Sequence, residues 1–250
     1  MDFTIDKYRE LLKALKKHGK FMLRHDVDLK PEYSLRVARV EAVEGVQATY
    51  YFRTVPQSYD EDIIKQIVSL GHTAGYHYEC LSTCNGDVKA AHEDFCRNLE
   101  MMRKIVPIKT ACAHGSPKSK WNSQDIWNHY DIHTLSIDYE PMLDTDFSTT
   151  LYLTDTGRRW DGYRVSVRDK VPEWQEQWEK DGLVFHSTNN IINAIDDTGH
   201  TIHNKSLLVN THPQRWMPFG TEWIKEAMVQ QVKNIAKGLL VKKQGQKTQY

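Results

Sequence analysis

An apolar run that ends in two carboxylates stands near the start of the chain, at Phe21-Met22-Leu23-Arg24-His25-Asp26-Val27-Asp28. Its apolar half is typical of a short buried β-strand. Successive side chains of a strand point to opposite faces, so we expect Asp26 and Asp28 on the same face. An isolated Asp-x-Asp more often lies on a solvated turn, here one that caps a helix beginning at Pro31. The apolar strand before the two carboxylates favours a shared site instead.

Strand-like and helix-like segments alternate along most of the chain. Further strands are predicted at residues 48–53, 72–78, 109–114, 133–137, 151–154 and 206–210. Amphipathic helices separate them, and a strong closing helix is predicted around residues 224–239. This alternation predicts a mainly parallel sheet, and about seven such units favour an α/β fold of the (β/α) barrel kind. We expect one domain over residues 1–250, with a frayed polar tail after about residue 241.

The composition argues against several classes of function. Lys and Arg number 33 and Asp and Glu number 33, so no global field attracts nucleic acid or an anionic membrane. No apolar run is long enough to span a bilayer, and residues 1–6 lack the features of a signal peptide. Four cysteines without CxxC spacing do not form a disulfide scaffold. We therefore expect a cytoplasmic protein without nucleic-acid partners, and its oligomeric state stays open.

Polar residues follow several of the predicted strands, which is where barrel enzymes build their sites. They are His25, Asp26 and Asp28 after the first strand, His77 and Glu79 after the third, His114 and Ser116 after the fourth, and His212 after a late strand. Carboxylates and histidines that converge in this way are typical of a hydrolytic metal site. His72 lies five residues before His77 and would face the other side of the strand, so we expect it to be structural.

Other motifs suit the binding of a substrate. Arg159-Trp160 and Arg215-Trp216 place a guanidinium beside an indole, a combination that can bind an anionic group and a sugar ring. For each pair the alternative is an ordinary structural ion pair beside an exposed ring. The segment around Ser116 lacks a G-x-S-x-G elbow, so we interpret it as a loop that shapes the pocket. The predicted substrate-binding residues are His25, His114, Ser116, Arg159, Trp160, Arg215 and Trp216.

Together these motifs resemble the polysaccharide deacetylase (NodB-homology) superfamily, and most closely its WbmS-like branch, which is associated with lipopolysaccharide O-antigen loci. The resemblance extends over about residues 21–216 and rests on the order and spacing of several segments. These are residues 23–28, 71–79, 114–117, 152–160 and 210–213. The resemblance implies a deformed (β/α)7 barrel that removes an N-acetyl group from a sugar with Zn²⁺ or a similar divalent ion.

The resemblance also implies roles for individual residues. Asp26 matches the catalytic base that accepts the proton of the attacking water. Asp28 and His77 match metal ligands, and His212 matches the acid that protonates the departing amine.

Two positions depart from the superfamily pattern. A second metal-binding histidine normally follows the first by four residues, and Leu81 stands there in this chain. We predict Glu79 as the replacement ligand, with His114 as the alternative. The third motif usually supplies an arginine beside the catalytic aspartate, whereas residues 114–117 read His-Gly-Ser-Pro here.

The expected function is hydrolysis of the amide of an N-acylated sugar during synthesis of a surface polysaccharide or O-antigen. The sugar would be linked to a nucleotide or a lipid. Two alternatives stay open. One is a catalytically silent carbohydrate-binding barrel, which the missing histidine at Leu81 motivates, and the other is another C–N hydrolase that cleaves a formamide or a ureide.

Overall fold

The computed structural model describes residues 1–116, 119–164, 166 and 168–245, and for residues 236–245 it describes the backbone alone. Pro117 of the predicted pocket loop therefore lies outside the described residues. The chain is an α/β protein with two compact units, one formed by Met1–Leu23 with Asp146–Tyr250 and the other by Arg24–Thr145. The assignment of residues 1–250 to one domain stays a prediction. None of the described helices combines the length and apolar character needed to cross a bilayer.

Helices and strands alternate from the N-terminus onward. In chain order they are α1 (Ile5–His18), β1 (Phe21–Val27), α2 (Pro31–Glu44), β2 (Thr49–Phe52), α3 (Glu61–Ser69), β3 (Thr73–Tyr78), α4 (Cys80–Thr83), α5 (Val88–Arg103), β4 (Ala111–Ala113), α6 (Pro141–Asp144), β5 (Thr150–Thr154), α7 (Pro172–Lys180), α8 (Thr188–Asp196), β6 (Ser206–Thr211) and α9 (Thr221–Gly245). Short 3₁₀ helices lie at Ser123–Asn128, Ile132–Leu135, Gly162–Arg164, Thr201–Asn204 and Pro213–Arg215. The alternation of strands and helices that the sequence predicts is confirmed.

The unit Arg24–Thr145 contains a parallel sheet in the order β1-β2-β3-β4. In the register of the sheet, Asp26 is the partner of Tyr51, Tyr51 of Gly75, and His77 of Cys112. Neighbours at the same level face the same side of a sheet, and so do residues two apart on one strand. One face of this sheet, called the site face below, therefore presents Arg24, Asp26, Tyr51, Gly75, His77 and Cys112.

Gly75 is required by the packing of the site face. A Cβ atom at this position would lie 2.5 Å from Cδ1 of Tyr51, well inside van der Waals contact. The Tyr51 ring crosses β3 at this point, and its hydroxyl group lies 2.7 Å from Oγ1 of Thr110. Only a residue without a side chain leaves room for that ring.

The opposite face of the same sheet packs against α2. His25 is fully buried there, and its Nε2 lies 2.7 Å from Oε1 of Glu41, while Oε2 of Glu41 accepts a hydrogen bond from Tyr50. Alternation along β1 turns His25 away from Asp26 and places it beneath α2, so the structure does not bring it to the site face, and its role in binding substrate stays a prediction. His72 also lies on this side, where Nε2 is 2.9 Å from the carbonyl oxygen of Ala38, which confirms its structural role.

The unit Met1–Leu23 with Asp146–Tyr250 is built around β5 and β6, which run parallel with Thr154 level with Asn210. The N–H of Leu207 donates to the carbonyl of Lys20, which joins β6 to the start of β1. Parallel strands and helices make up each of the two units, which agrees with the predicted α/β fold class at that level.

One predicted strand is wrong. Residues 133–137 fall on the 3₁₀ helix Ile132–Leu135 and the turn after it. The side chain of Asp131 accepts a hydrogen bond of 2.9 Å from the N–H of His133 and so begins a helical turn. A capping aspartate before a short apolar segment outweighs the β-propensity of its isoleucines.

Candidate functional site

Three potential metal ligands converge at the carboxyl ends of β1, β3 and β4: His77 lies near the end of β3, and Asp28 and His114 directly follow β1 and β4. Nε2 of His77 lies 3.6 Å from Oδ1 of Asp28, and Nε2 of His114 lies 3.4 Å from the same oxygen. One ligand atom from each residue lies within 4.8 Å of the other two. We call Asp28, His77 and His114 the ligand group.

These separations fit a zinc-like ion. Zinc bonds to imidazole nitrogen and carboxylate oxygen of about 2.0–2.1 Å place tetrahedral ligands about 3.3–3.4 Å apart. The distances of 3.4 and 3.6 Å from Asp28 to the two histidines are close to that value. Two imidazoles and one carboxylate are also a ligand set found at catalytic zinc sites. The described residues therefore fit a divalent ion.

The backbone and a carboxylate orient both histidines of the ligand group. Nδ1 of His77 lies 2.9 Å from the carbonyl oxygen of Cys112, to which it can only donate. Nδ1 of His114 lies 2.9 Å from Oε2 of Glu79. A proton on Nδ1 leaves the lone pair of each histidine on Nε2, the atom that faces Asp28. Metal-binding histidines are typically held in this way.

Glu79, which was predicted as a metal ligand, contacts Arg53 and His114. Its Oε1 accepts hydrogen bonds from Nε and Nη2 of Arg53 at 3.0 and 2.5 Å, while Oε2 accepts one from Ser116 at 3.2 Å. Burial raises the pKa of Glu79, but the bonds and charges of His114 and Arg53 outweigh it and lower that pKa to about 2. Glu79 is not part of the ligand group, and its Oε2 contacts Nδ1 of His114 instead, so its role as a metal ligand stays a prediction. Ser116 takes part in the same contacts.

Asp26 lies beside the ligand group, with Oδ2 4.0 Å from Nε2 of His77. The guanidinium of Arg24 is on its other side, 3.5 Å from the same oxygen. Burial lowers the pKa of His77, but the charge of Asp26 and the hydrogen bond and charge of Asp28 outweigh it, so that pKa is raised above its usual value. The negative potential that favours a proton at His77 also favours a metal cation. Asp26 and Asp28 thus both lie near Nε2 of His77, at 4.0 and 3.6 Å, and their sharing of one metal site stays a prediction.

A second set of potential ligands uses the same histidine. Asp26, His77 and Cys112 also place one ligand atom each within 4.8 Å of the others. However, Nη1 of Arg24 donates to Sγ of Cys112, and burial raises the pKa of the Cys112 thiol well above its usual value. A fixed positive charge and a protonated thiol both oppose a cation at this position. The ligand group of Asp28, His77 and His114 is therefore the better candidate.

Arg24 belongs to the first sequence motif but had no predicted role, and Arg53 and Cys112 were not predicted at all. A signal for Arg53 existed, because it directly follows β2. For Cys112 there was none, because its place beside His77 depends on the register between β3 and β4.

His212 belongs to a polar cluster in the other unit. Its Nδ1 lies 2.6 Å from Oδ1 of the fully buried Asp155. The same carboxylate accepts hydrogen bonds of 2.6 Å from Arg215 and 2.8 Å from the indole of Trp216. Burial raises the pKa of Asp155, but the charges of Arg215 and His212 outweigh it, so that pKa is lowered. Asp155 directly follows β5, a position at which it could have been predicted.

The predicted substrate-binding tryptophans belong to the interior. Trp216 is fully buried, and Trp160 is buried with its Nε1 donating to Oγ1 of Thr188 at 2.9 Å. Arg215 is buried against Asp155, as described above. All three side chains are thus buried and hydrogen-bonded to neighbours within their own unit, and their roles in binding a substrate stay predictions.

Arg159 forms an ion pair with Asp161, as in the structural alternative for this motif. Its Nε and Nη2 lie 2.5 and 2.6 Å from the two carboxylate oxygens of Asp161. Arg159 is partly exposed and lines a cavity of about 440 Å³ together with Arg158 and residues of α9. Its role in binding a substrate stays a prediction.

Comparisons with known proteins add no family to this geometry. No family model, no curated protein and no solved structure matches the chain. What the described residues define is an α/β protein with a candidate divalent-metal site on one of its two units.

Proposed function

We propose that this protein is a metal-dependent hydrolase that removes an N-acetyl or other N-acyl group from a sugar. The observation that supports the proposal is the ligand group, whose two histidines present Nε2 to Asp28 while Asp26 lies alongside. A divalent ion of the zinc type, when bound, polarises a carbonyl group and lowers the pKa of water to near 7. A carboxylate at the edge of such a site is suited to accept the proton of water.

Each residue of the candidate site has a part in this proposal. Asp28, His77 and His114 hold the ion, and Glu79 fixes the ring of His114. Asp26 accepts a proton from the attacking water, and the Arg24 guanidinium holds the Asp26 carboxylate in place. His212 is the proposed acid that protonates the departing amine. This role rests on the resemblance, and its support within its own unit is the close contact with Asp155.

The finer parts of the proposal also rest on the resemblance to polysaccharide deacetylases. They are a deformed (β/α)7 barrel, a cytoplasmic location, and a substrate sugar that is linked to a nucleotide or a lipid and enters a surface polysaccharide. Leu81, at the position of the missing histidine, is buried at the start of α4. His114 supplies the second imidazole of the ligand group, so the site does not require a histidine at position 81.

The first experiment measures metal content and amide hydrolysis together. The protein is purified without chelator and analysed by mass spectrometry for metals, beside Asp28→Ala and His77→Ala. The control is His129→Ala, which replaces an exposed histidine of the same unit. We expect about one divalent ion per chain, lost in the first two variants and retained in the control. Acetate release from nucleotide-linked N-acetyl sugars then tests the reaction in the wild type, Asp26→Asn and His212→Ala.

Each other result selects a different function. A wild type that binds no metal even after zinc is added, yet binds sugars, would be a silent carbohydrate-binding barrel. Turnover of N-formyl but not N-acetyl substrates would favour another C–N hydrolase. Full activity in Asp26→Asn or in His212→Ala would disprove the role proposed for that residue.

A further inference from the structure

The closing helix α9 turns a polar face toward its own unit. Nδ2 of Asn234 donates to the carbonyl of Gly157 at 2.7 Å, and Gln230 is buried with its Nε2 bound to Asn234. Nearer the start of the helix, Nε1 of Trp223 donates to the carbonyl of Asp2 at 3.2 Å. The residues that attach α9 to its unit are therefore mainly amides and one indole, held by hydrogen bonds.

The apolar residues of α9 point the other way. Ile224, Met228, Val232 and Ile235 are 44%, 67%, 68% and 61% exposed. Their spacing of four, four and three residues places them in one stripe along the helix. A helix at the surface of a globular protein normally buries such a stripe and exposes its polar side. Here the arrangement is inverted, which is typical of a surface that binds something apolar.

Charge indicates which partner this stripe fits. Although the whole chain has no net charge, lysines outnumber acidic residues in α9: Glu222 and Glu226 lie in its first two turns, and from residue 227 to 245 its only charged residues are lysines. The lysines are Lys233, Lys237, Lys242 and Lys243. A second copy of this helix would bring like charges together, whereas an anionic lipid surface offers opposite charge. An apolar stripe on a lysine-rich helix is the pattern of helices that lie in the plane of a membrane surface.

We propose that α9 docks on an anionic lipid bilayer, with the stripe Ile224, Met228, Val232 and Ile235 inserted among the acyl chains. The helix lies along the surface, in keeping with the finding that no described helix could cross a bilayer. This inference is independent of the proposed hydrolase activity, because it uses none of the residues of the candidate metal site.

The test is co-sedimentation of the full-length protein with vesicles. We expect binding to vesicles of phosphatidylcholine mixed with phosphatidylglycerol, weak binding to phosphatidylcholine alone, and loss of binding as salt screens the lysines. Val232→Glu and Met228→Glu should each lower the partition coefficient roughly tenfold or more, since each removes a large apolar side chain from the lipid contact. Val43→Glu is the matched control, because Val43 on α2 is 86% exposed outside the stripe. Circular dichroism establishes that the variants remain folded.

Three results would overturn the proposal. The first is that the wild type fails to bind anionic vesicles. The second is binding that salt removes but Val232→Glu and Met228→Glu leave unchanged, which would locate the lipid contact elsewhere. The third is a concentration-dependent dimer in analytical ultracentrifugation that Val232→Glu dissociates while vesicle binding is absent. In that case a second copy of the chain covers the stripe.

Discussion

The candidate metal site makes a sharp prediction about two neighbours, His114 and Glu79. If His114 is a ligand and Glu79 only orients its ring, substitution of either residue weakens metal binding. The two losses differ in size, but both act through Nε2 of His114. The relevant contacts are the 3.4 Å from His114 to Asp28 and the 2.9 Å from His114 to Glu79.

The expected losses of zinc affinity follow from the positions of His114 and Glu79 in the site. A four-ligand zinc site contributes about 10–16 kcal/mol, so one ligand is worth about 3 kcal/mol, and His114→Ala should weaken zinc binding roughly 100-fold or more. Loss of a partner that orients a ligand weakens metal binding about 10–100-fold, which is the range expected for Glu79→Gln. Because Glu79 acts through His114, the double variant should bind zinc about as weakly as His114→Ala alone.

The assay is competition for zinc against a chromophoric chelator at neutral pH, with circular dichroism as the check on folding. Additive losses of binding free energy in the double variant would contradict the assignment. So would a larger loss in Glu79→Gln than in His114→Ala. Either outcome would return Glu79 to the role of ligand, with His114 beside it as a contact of the substrate.

Two further predictions concern stability. Gly75→Ala should lower the free energy of unfolding by about 1–3 kcal/mol in urea titrations, because its Cβ would lie 2.5 Å from the Tyr51 ring. Gly220→Ala is the control: its Cβ would meet no atom within 4 Å, so the free energy of unfolding should stay the same. The lowered pKa of Asp155, in which the charges of Arg215 and His212 outweigh burial, means that its carboxylate stabilises the fold above its unfolded pKa of about 3.9. That stabilisation should be lost as pH falls through the lower folded pKa, and Asp155→Asn should flatten this acid dependence; an unchanged slope would disprove the attribution.

Strand periodicity predicted the part of the site that lies on regular strands. The rule that residues two apart share a face placed Asp26 with Asp28 correctly, since both lie near Nε2 of His77. The same rule failed from His77 to Glu79 because β3 ends at Tyr78 and the backbone of Glu79 turns, with φ −139° and ψ 22°. Where the extended backbone ends, spacing along the sequence no longer tells which way a side chain points.

His114 shows the opposite case. It follows β4, yet its N–H still donates to the carbonyl of Tyr78 at 2.8 Å, so the sheet hydrogen bonds continue by one residue. Its side chain therefore stays on the site face and reaches Asp28. Whether a strand continues by one residue depends on its neighbour in the sheet, which no pattern in a single sequence contains.

The location of the arginine–tryptophan motifs could not be predicted for a related reason. A dipeptide such as Arg215-Trp216 suits a sugar pocket and a protein interior equally well in chemical terms. What decides between them is a buried acceptor, and Asp155, 60 residues away from Arg215, is that acceptor. Burial is a property of the packed chain, so the sequence could list both possibilities but could not choose.

The charges around the ligand group explain how several carboxylates can share one small site. Asp26, Asp28 and Glu79 lie close together, and mutual repulsion would favour protonation of at least one of them. Arg24 contacts Asp26, Arg53 contacts Glu79, and Arg53 also donates to the backbone carbonyl of Asp28 at 3.2 Å. Each guanidinium compensates the charge of a carboxylate outside the ligand group. The carboxylate of Asp28 can therefore interact with the two histidines and with a cation between them. Arg24 and Arg53 are thus what makes the arrangement of acids suitable for metal binding.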